Sequence, residues 1–307
     1  MGYIFGPVPS RRLGRSLGVD LVPFKTCTYN CIYCQLGRTT NKTVERREWV
    51  PLDDVLTQLR EKLITAPDYI TLSGSGEPTL YSRLDELIDR IRSLTDIPVA
   101  VLTNGSLLWQ PEVRRQLLNA HLVIPSLDAG DGAMFRAVNR PHKSISFEKM
   151  LEGLTAFRQE YQGDYWLEVF FLAGHTAIES EVRKISDCVR QIMPDRIQLN
   201  TATRPTAENY ACKVERSFLE KFALWFDPSA EVIADYRGIH GESSFQSGAQ
   251  GVLEMIRRRP CSLEDIVYGL DMHRNEVIKY IEELVENKMI ETRIFGGKVF
   301  YYGRHYT

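Results

Sequence analysis

The chain has 307 residues, 43% hydrophobic and 25% charged, which is ordinary globular composition and excludes a disordered or fibrous protein. Its length predicts about two domains. The formal net charge of −2 gives the whole chain no attraction to nucleic acid or to an anionic membrane. The N-terminal residues lack a signal-peptide pattern, and no apolar run is long enough to span a membrane. We therefore expect a reduced, cytoplasmic compartment.

Short apolar runs alternate with amphipathic stretches over most of the chain. The runs have the composition of strands buried on both faces of a parallel sheet, and they cover residues 17–22, 69–73, 99–103, 122–126, 167–172, 196–200 and 231–234. Apolar residues recur at helical spacing between them, over residues 52–63, 84–91, 147–157 and 182–192, and Pro111 starts a further helix. This alternation predicts an α/β fold, a partial (β/α)6 barrel of the TIM type, with its active site at the carboxyl ends of the strands.

The last part of the chain has a different pattern. Residues 238–250 are rich in Gly and Ser and predict a linker between a domain at 1–237 and a small domain at 251–307. The small domain is predicted to contain three helices and a hairpin, which is the winged-helix order, with Ser262 and Asp265 forming a capping box. Residues 250–307 carry nine basic and nine acidic side chains, so DNA binding is disfavoured, and docking or covering of a neighbouring site is preferred.

Six cysteines are present, and three of them lie within eight residues, spaced C-x3-C-x2-C after the first predicted strand. These are Cys27, Cys31 and Cys34. Soft thiolates favour an iron–sulfur cluster or zinc, and the missing fourth ligand leaves a metal position open for chemistry. The alternative is a zinc site completed by a remote histidine, for which the candidates are His121, His142 and His175. The other cysteines are single and are interpreted as bystanders: Cys188, Cys212 and Cys261.

Polar residues follow several of the predicted strands. Gly74, Gly76 and Glu77 follow the second, and glycines allow a backbone to approach a ligand closely. Further polar residues at strand ends are Asn104, Ser126, Asp128, Asn200 and Thr201. Plain turns are the alternative explanation for the Gly and Asn-Gly segments. Glu168 interrupts the fifth strand, where an inward carboxylate is costly unless it is paired or functional.

Arginines form a second group of candidates. Arg11, Arg12 and Arg15 precede the first predicted strand, and Arg204 follows the sixth. Guanidinium groups there could hold a phosphate or carboxylate of a substrate bidentately, and the alternative is that they are simply solvated.

The cysteine motif, with Tyr33 before its last cysteine, and the Gly74–Glu77 segment resemble the radical S-adenosylmethionine (SAM) superfamily. The resemblance implies a 4Fe–4S cluster held by the three clustered cysteines, with SAM chelating the fourth iron and Tyr33 near the adenine. It also implies an electron donor such as flavodoxin or ferredoxin, and reductive cleavage of SAM to methionine and a 5′-deoxyadenosyl radical that abstracts hydrogen. The implied SAM contacts are Gly74, Gly76, Glu77, Asn104, Ser126, Asp128, Asn200 and Thr201.

Residues 6–14, 126–129 and 135–141 are similar to a radical SAM family related to the enzymes that build the tricyclic wyosine base of tRNA. Those enzymes condense pyruvate with N-methylguanosine. This chain lacks the N-terminal cysteines of their second cluster, and Lys143 is the nearest candidate for their pyruvate lysine. The substrate therefore stays open among a tRNA base, a peptide or protein, and a small metabolite. The competing hypothesis is a non-catalytic winged-helix regulator that binds an iron–sulfur cluster or zinc.

Overall fold

The computed structural model describes residues 2–233, 248–270 and 272–304. Its strands are β1 (Ile4–Ser10), β2 (Gly14–Val19), β3 (Thr26–Cys27), β4 (Asn41–Lys42), β5 (Tyr69–Leu72), β6 (Val99–Thr103), β7 (Leu122–Pro125), β8 (Asp164–Phe171), β9 (Arg196–Thr201), β10 (Glu231–Val232), β11 (Ile290–Phe295) and β12 (Lys298–Gly303). Its helices are α1 (Leu52–Lys62), α2 (Leu84–Leu94), α3 (Pro111–Leu117), α4 (Gly132–Val138), α5 (Phe147–Glu160), α6 (Glu179–Ile192), α7 (Arg216–Ala223), α8 (Ala249–Arg258), α9 (Leu263–Leu270) and α10 (Arg274–Glu286).

The main sheet has eight strands in the order β1-β2-β5-β6-β7-β8-β9-β10. Every pair from β2 to β10 is parallel, and β1 pairs with β2 in the antiparallel direction. Parallel neighbours require crossovers, and here helices supply most of them, as in a β/α barrel. The predicted partial (β/α)6 barrel is therefore confirmed, with the carboxyl ends of its strands at one edge.

The hydrophobic pattern explains this architecture. All four residues of β7 are buried, as are most of β5, β6 and β9, because helices cover the outer face and side chains fill the interior. The helices contribute apolar stripes, such as Leu52, Val55, Leu56 and Leu59 of α1. A smaller cluster that includes Leu122, Ile124 and Trp166 packs apart from this main core.

Some elements differ from the prediction. Strand β1 was not expected, because its sequence contains two prolines, but an edge strand tolerates proline, and its register shifts between Phe5 and Val8. Strand β2 ends at Val19, three residues before the predicted end. The short helices α4 and α7 were also missed, since seven or eight residues give little periodicity.

The C-terminal residues form three helices and the β11–β12 hairpin around a separate apolar core. The capping box is present: Ser262 N donates to Asp265 Oδ2 over 3.0 Å, and Asp265 N donates to Ser262 Oγ over 3.1 Å. Most of the predicted linker at 238–250 lies outside the described residues, so the domain boundary stays a prediction. No helix within the described ranges is long and apolar enough to cross a membrane.

Candidate active site

The three clustered cysteines line a cavity of about 770 Å³ at the carboxyl ends of the barrel strands. Cys27 ends the two-residue strand β3, Cys31 and Cys34 lie in the loop that follows it, and all three are free and half-buried. Tight turns fold the loop: Cys34 N donates to Cys31 O over 3.2 Å, and Gly37 N donates to Cys34 O over 3.0 Å. The loop therefore presents three thiols to one space.

Two amide side chains lie against these sulfurs. Asn104 Nδ2 is 3.6 Å from Cys27 Sγ, and Asn139 Nδ2 is 3.6 Å from Cys31 Sγ. Hydrogen-bond donors at this position stabilise negative charge on thiolate sulfur. The backbone next to Asn139 also holds the loop, because Ile32 N donates to Val138 O over 2.9 Å. Asn139 was not among the predicted site residues, although it lies in the segment 135–141 that carried the resemblance.

The donor set fits an iron–sulfur cube better than a single metal ion. Over residues 2–233, 248–270 and 272–304, no group of three or more His, Cys, Asp or Glu side chains is arranged to hold a single metal ion. A cube places each thiolate on a different iron, so its cysteines need not converge. Burial, with a smaller contribution from the Glu77 charge, raises the pKa of the Cys27 thiol to about 12. Iron binding would remove that proton, since a coordinated thiol is deprotonated outright.

The histidines that could complete a zinc site have other contacts. His121 Nδ1 accepts from Val99 N over 3.0 Å, and His142 Nδ1 lies 2.8 Å from Ser144 Oγ. His175 stacks on Tyr210 with ring centroids 5.8 Å apart. These contacts disfavour the zinc alternative.

The glycine–glutamate segment, Gly74–Glu77, packs directly against the cysteine loop. A Cβ on Gly76 would lie 1.7 Å from Thr26 O, so no side chain fits there. Gly74 has φ +149° and touches Asp20, which again requires glycine. Lys25 N donates to Ser75 O over 2.7 Å, and Glu77 N donates to Thr26 O over 3.2 Å. The two predicted motifs thus form one packed unit.

Glu77 joins the ends of β5 and β6. Its Oε1 accepts from Thr79 N (3.0 Å), Thr79 Oγ1 (2.6 Å) and Thr103 Oγ1 (2.6 Å), and its Oε2 accepts from Asn104 N (2.8 Å). Burial raises the pKa of Glu77, and these donors partly offset that rise. The carboxylate still borders the cavity, with Oε2 carrying fewer donors than Oε1.

Tyr33 is fixed by two neighbours, Phe170 and Asp128. Its ring stacks on Phe170 with centroids 4.1 Å apart, and its hydroxyl donates to Asp128 Oδ2. Asp128 also accepts from Asn139 Nδ2 over 2.8 Å and from Phe170 N over 3.2 Å, while burial raises the pKa of Asp128 to about 6. Asp128 is itself buried, so the structure places it as a support for Tyr33. Ser126, in contrast, lines the cavity.

An ion pair crosses the barrel interior beside the cavity. Arg12, from the turn between β1 and β2, donates to Glu168 and to Gln198 Oε1 (3.2 Å). Arg11 donates to Asn200 Oδ1 over 3.1 Å, and Asn200 Nδ2 lies 3.4 Å from Glu168. Burial acts to raise the pKa of Glu168, but the Arg12 and Arg11 charges outweigh it and hold that pKa below its usual value. The inward Glu168 is therefore paired, as its position in a barrel strand requires.

The remaining predicted residues are partly used by the fold. Thr201 Oγ1 donates to Phe171 O over 2.8 Å and accepts from Val214 N over 2.9 Å. Arg15 Nη2 donates to Thr65 O over 2.8 Å at the rim. Lys143 is exposed, whereas Cys188 and Cys261 are buried on other elements, and Cys212 is exposed.

The described lining of the cavity has eight basic and three acidic side chains. The basic ones are Arg11, Arg12, Arg15, Lys25, Lys62, Arg204, Arg258 and Arg259, and the acidic ones are Glu77, Glu168 and Glu254. Two more carboxylates, Asp20 and Asp265, pair with Arg258 and Arg204. Among the described residues, these eight basic side chains outnumber the five carboxylates, in a chain whose net charge is −2.

Comparison with known proteins identifies the family. The model for the radical SAM superfamily matches residues 21–187, which is more than half of the chain. The chain belongs to the radical SAM superfamily. It is an enzyme of that superfamily, whose cofactors are a 4Fe–4S cluster and SAM. The matched region contains the cysteine loop, the Gly74–Glu77 segment and the Asn104, Ser126 and Asp128 positions.

Full-length relatives place the chain in the UPF0026 family. It is 34% identical over 311 residues to UPF0026 protein MJ1312 of Methanocaldococcus jannaschii, covering 98% of this chain and 96% of that protein. It is also 39% identical over 303 residues to a protein named GTPase Obg of Brachyspira hyodysenteriae. That match covers 97% of this chain but only 45% of the longer relative, whose named activity stays with that protein.

Among solved structures, the fold resembles a radical SAM methyltransferase from Sphaerobacter thermophilus, with a TM-score of 0.51 and 16% sequence identity. The alignment covers 73% of this chain and 67% of that one. At this identity the likeness supports the barrel fold alone.

Proposed function

We propose that this protein holds a 4Fe–4S cluster on Cys27, Cys31 and Cys34 and uses it to act on a small anionic substrate. The observation that carries the proposal is the convergence of the three thiols with the packed Gly74–Glu77 segment on one cavity. A reduced cluster held by these cysteines would supply one electron for the cleavage of SAM to methionine and a 5′-deoxyadenosyl radical, the species that would take a hydrogen atom from the substrate.

The residues around the cavity have distinct proposed tasks. Glu77 Oε2 and the backbone of Gly74 and Gly76 suit the positively charged amino group of SAM, since a carboxylate and exposed carbonyl groups favour a cation. Asn104 and Ser126 directly follow β6 and β7, and Asn200 and Thr201 are the last residues of β9; these side chains suit its ribose and carboxylate. Tyr33, held by Asp128 and Phe170, offers a rigid aromatic face for the adenine.

Size supports a small substrate. A volume of about 770 Å³ lies within the range of roughly 300–1,000 Å³ that pockets for single small ligands occupy. Here the cluster and SAM must share that volume with the substrate, so only a small group can enter beside them. The C-terminal residues Gln250, Glu254 and Met255 form part of the cavity wall.

Charge supports an anionic substrate. The described charged residues of the lining are mostly basic, and Arg11 and Arg12 line the cavity beside Glu168 and Asn200. Arginine binds carboxylate and phosphate groups bidentately. We therefore favour a small molecule with a carboxylate or phosphate over a tRNA base or a protein side chain.

A cytoplasmic reductant of low potential, such as flavodoxin or ferredoxin, is the proposed electron donor. The free thiols of Cys27, Cys31 and Cys34 fit a reduced compartment. The winged-helix order of the C-terminal residues has DNA binding as its main alternative role. Their balanced charge disfavours DNA binding, and their place in the cavity wall favours a role in covering the cavity.

The experiment that tests this proposal is a search for the substrate with the anaerobically reconstituted protein. A cell extract is divided into a small-molecule and a macromolecular fraction, and the small-molecule fraction is divided again by anion exchange. Each fraction is added to the reconstituted protein together with SAM and dithionite, and the rate of 5′-deoxyadenosine formation is measured. We expect the small anionic fraction to accelerate it. Acceleration by the macromolecular fraction alone, lost on treatment with ribonuclease or protease, would overturn the substrate class.

A further inference from the structure

Arg258, at the end of α8, reaches from the C-terminal helices to the barrel. Its Nη1 donates to Asp20 Oδ2 over 2.5 Å, and its side chain and that of Asp20 are only 13% and 9% exposed. Its Nη2 donates to Gly2 O, and its guanidinium carbon lies 4.7 Å from the centre of the Phe5 ring. An ion pair so well shielded from water depends on both partners, because either charge left alone is costly.

Asp20 also contacts the Gly74–Glu77 segment. Its Oδ1 accepts from Ser75 N over 3.0 Å, and its Oδ2 accepts from Ser75 Oγ. A Cβ on Gly74 would lie 2.7 Å from the Asp20 carboxyl group, so the segment is pressed against it. Asp20 therefore binds Arg258 and Ser75 with the same carboxylate.

Ser75 in turn touches the cysteine loop, since its carbonyl oxygen accepts from Lys25 N over 2.7 Å. A continuous series of polar contacts thus runs from α8 through Asp20 and Ser75 to the residues beside Cys27. Ser75 separates the two glycines of the motif, and through these contacts it connects Asp20 to the cysteine loop.

A second ion pair joins the same two parts of the chain at another point. Arg204 Nη2 lies 2.9 Å from Asp265 Oδ1, and both side chains are largely buried. This pair does not involve Asp20 or Ser75. The C-terminal helices therefore keep an independent attachment when Arg258 is changed.

We infer that Arg258 is a positioning residue for SAM: through Asp20 and Ser75 it fixes the Gly74–Glu77 segment, so the C-terminal helices set the affinity for SAM. This inference rests on the proposed function, which assigns the segment to SAM binding. Without the guanidinium, Asp20 loses its partner charge and no longer holds Ser75 in one position. The segment can then move away from the site where the amino group of SAM binds.

The test compares Arg258→Gln, Arg258→Lys and Asp20→Asn with the unchanged protein, all reconstituted anaerobically. The control is Arg274→Gln, because Arg274 pairs with Glu264 over 3.3 Å on the surface of the same C-terminal helices. Three quantities are measured: iron content, the dissociation constant for SAM by equilibrium dialysis, and the change that SAM causes in the electron paramagnetic resonance spectrum of the reduced cluster.

We expect Arg258→Gln and Asp20→Asn to keep their iron but to bind SAM about 10- to 100-fold more weakly, as for loss of a charged hydrogen bond. The SAM-induced spectral change should shrink, Arg258→Lys should restore part of the affinity, and Arg274→Gln should leave both readouts unchanged. Arg258→Gln with unchanged SAM affinity, whatever its thermal stability, would overturn the inference. Absence of SAM binding by the unchanged protein would instead overturn the proposed function.

Discussion

Replacement of Gly76 by alanine is the sharpest perturbation of the contact between the two motifs. The added Cβ would lie 1.7 Å from Thr26 O and 2.9 Å from Val22 Cγ2, whereas ordinary van der Waals contact begins at 3.4 Å. The Gly74–Glu77 segment and the cysteine loop must therefore separate by up to about 1.7 Å. Since a misplacement of about 1 Å can cost roughly 100-fold in rate, we expect SAM cleavage to fall by at least that factor.

The assay measures iron content and the rate of 5′-deoxyadenosine formation in the reduced, reconstituted protein. Gly132→Ala is the matched control, because Gly132 begins α4 outside the cavity lining and a Cβ there would first meet the flexible end of the Arg136 side chain, at 3.3 Å. We expect the control to behave as the unchanged protein does. A Gly76→Ala protein with full iron content and an unchanged cleavage rate would refute the packing argument.

Three further outcomes are expected. Asn139→Leu removes a donor 3.6 Å from Cys31 Sγ, so the reduction potential of the cluster should fall, as measured by redox titration, and an unchanged potential would contradict this. Arg12→Met leaves Glu168 shielded from water without its main partner, so denaturant unfolding should show a loss of about 3 kcal/mol, largely recovered by adding Glu168→Leu. Burial raises the pKa of Asp128 from 3.8 to about 6, so the folded state binds this proton more tightly than the unfolded state does. The stabilisation that results is fully present below pH 3.8 and is lost as the pH rises through about 6. Asp128→Asn should flatten the dependence of stability on pH in that window for the protein without its cluster, and an unchanged slope would contradict the shift.

The sequence was sufficient for the barrel and for many of the polar residues that line the cavity. Buried strands and helical periodicity define the order of elements, and polar residues at strand ends must meet at one edge of a parallel sheet. That rule brought Cys27, Glu77, Asn104 and Asn200 to the same cavity. The short helix α4 gave no comparable signal, so Asn139 at its end was missed.

Contacts between distant segments could not be read from the sequence. The pairing of Arg12 with Glu168 spans 156 residues, and that of Arg258 with Asp20 spans 238. Each depends on where a hairpin or a helix packs, and local patterns do not encode this. The β1 strand was hidden for a related reason: its prolines contradict strand propensity, and only its edge position makes them acceptable.

The central claim is reductive cleavage of SAM at a cluster held by Cys27, Cys31 and Cys34. Its most direct test is the yield of 5′-deoxyadenosine from the anaerobically reconstituted protein with SAM and dithionite, compared with Cys34→Ala and with the exposed-cysteine control Cys212→Ala. We expect the product from the unchanged protein and from Cys212→Ala, and none from Cys34→Ala. An intact iron–sulfur cluster that yields no 5′-deoxyadenosine, or a yield that survives Cys34→Ala, would contradict the claim.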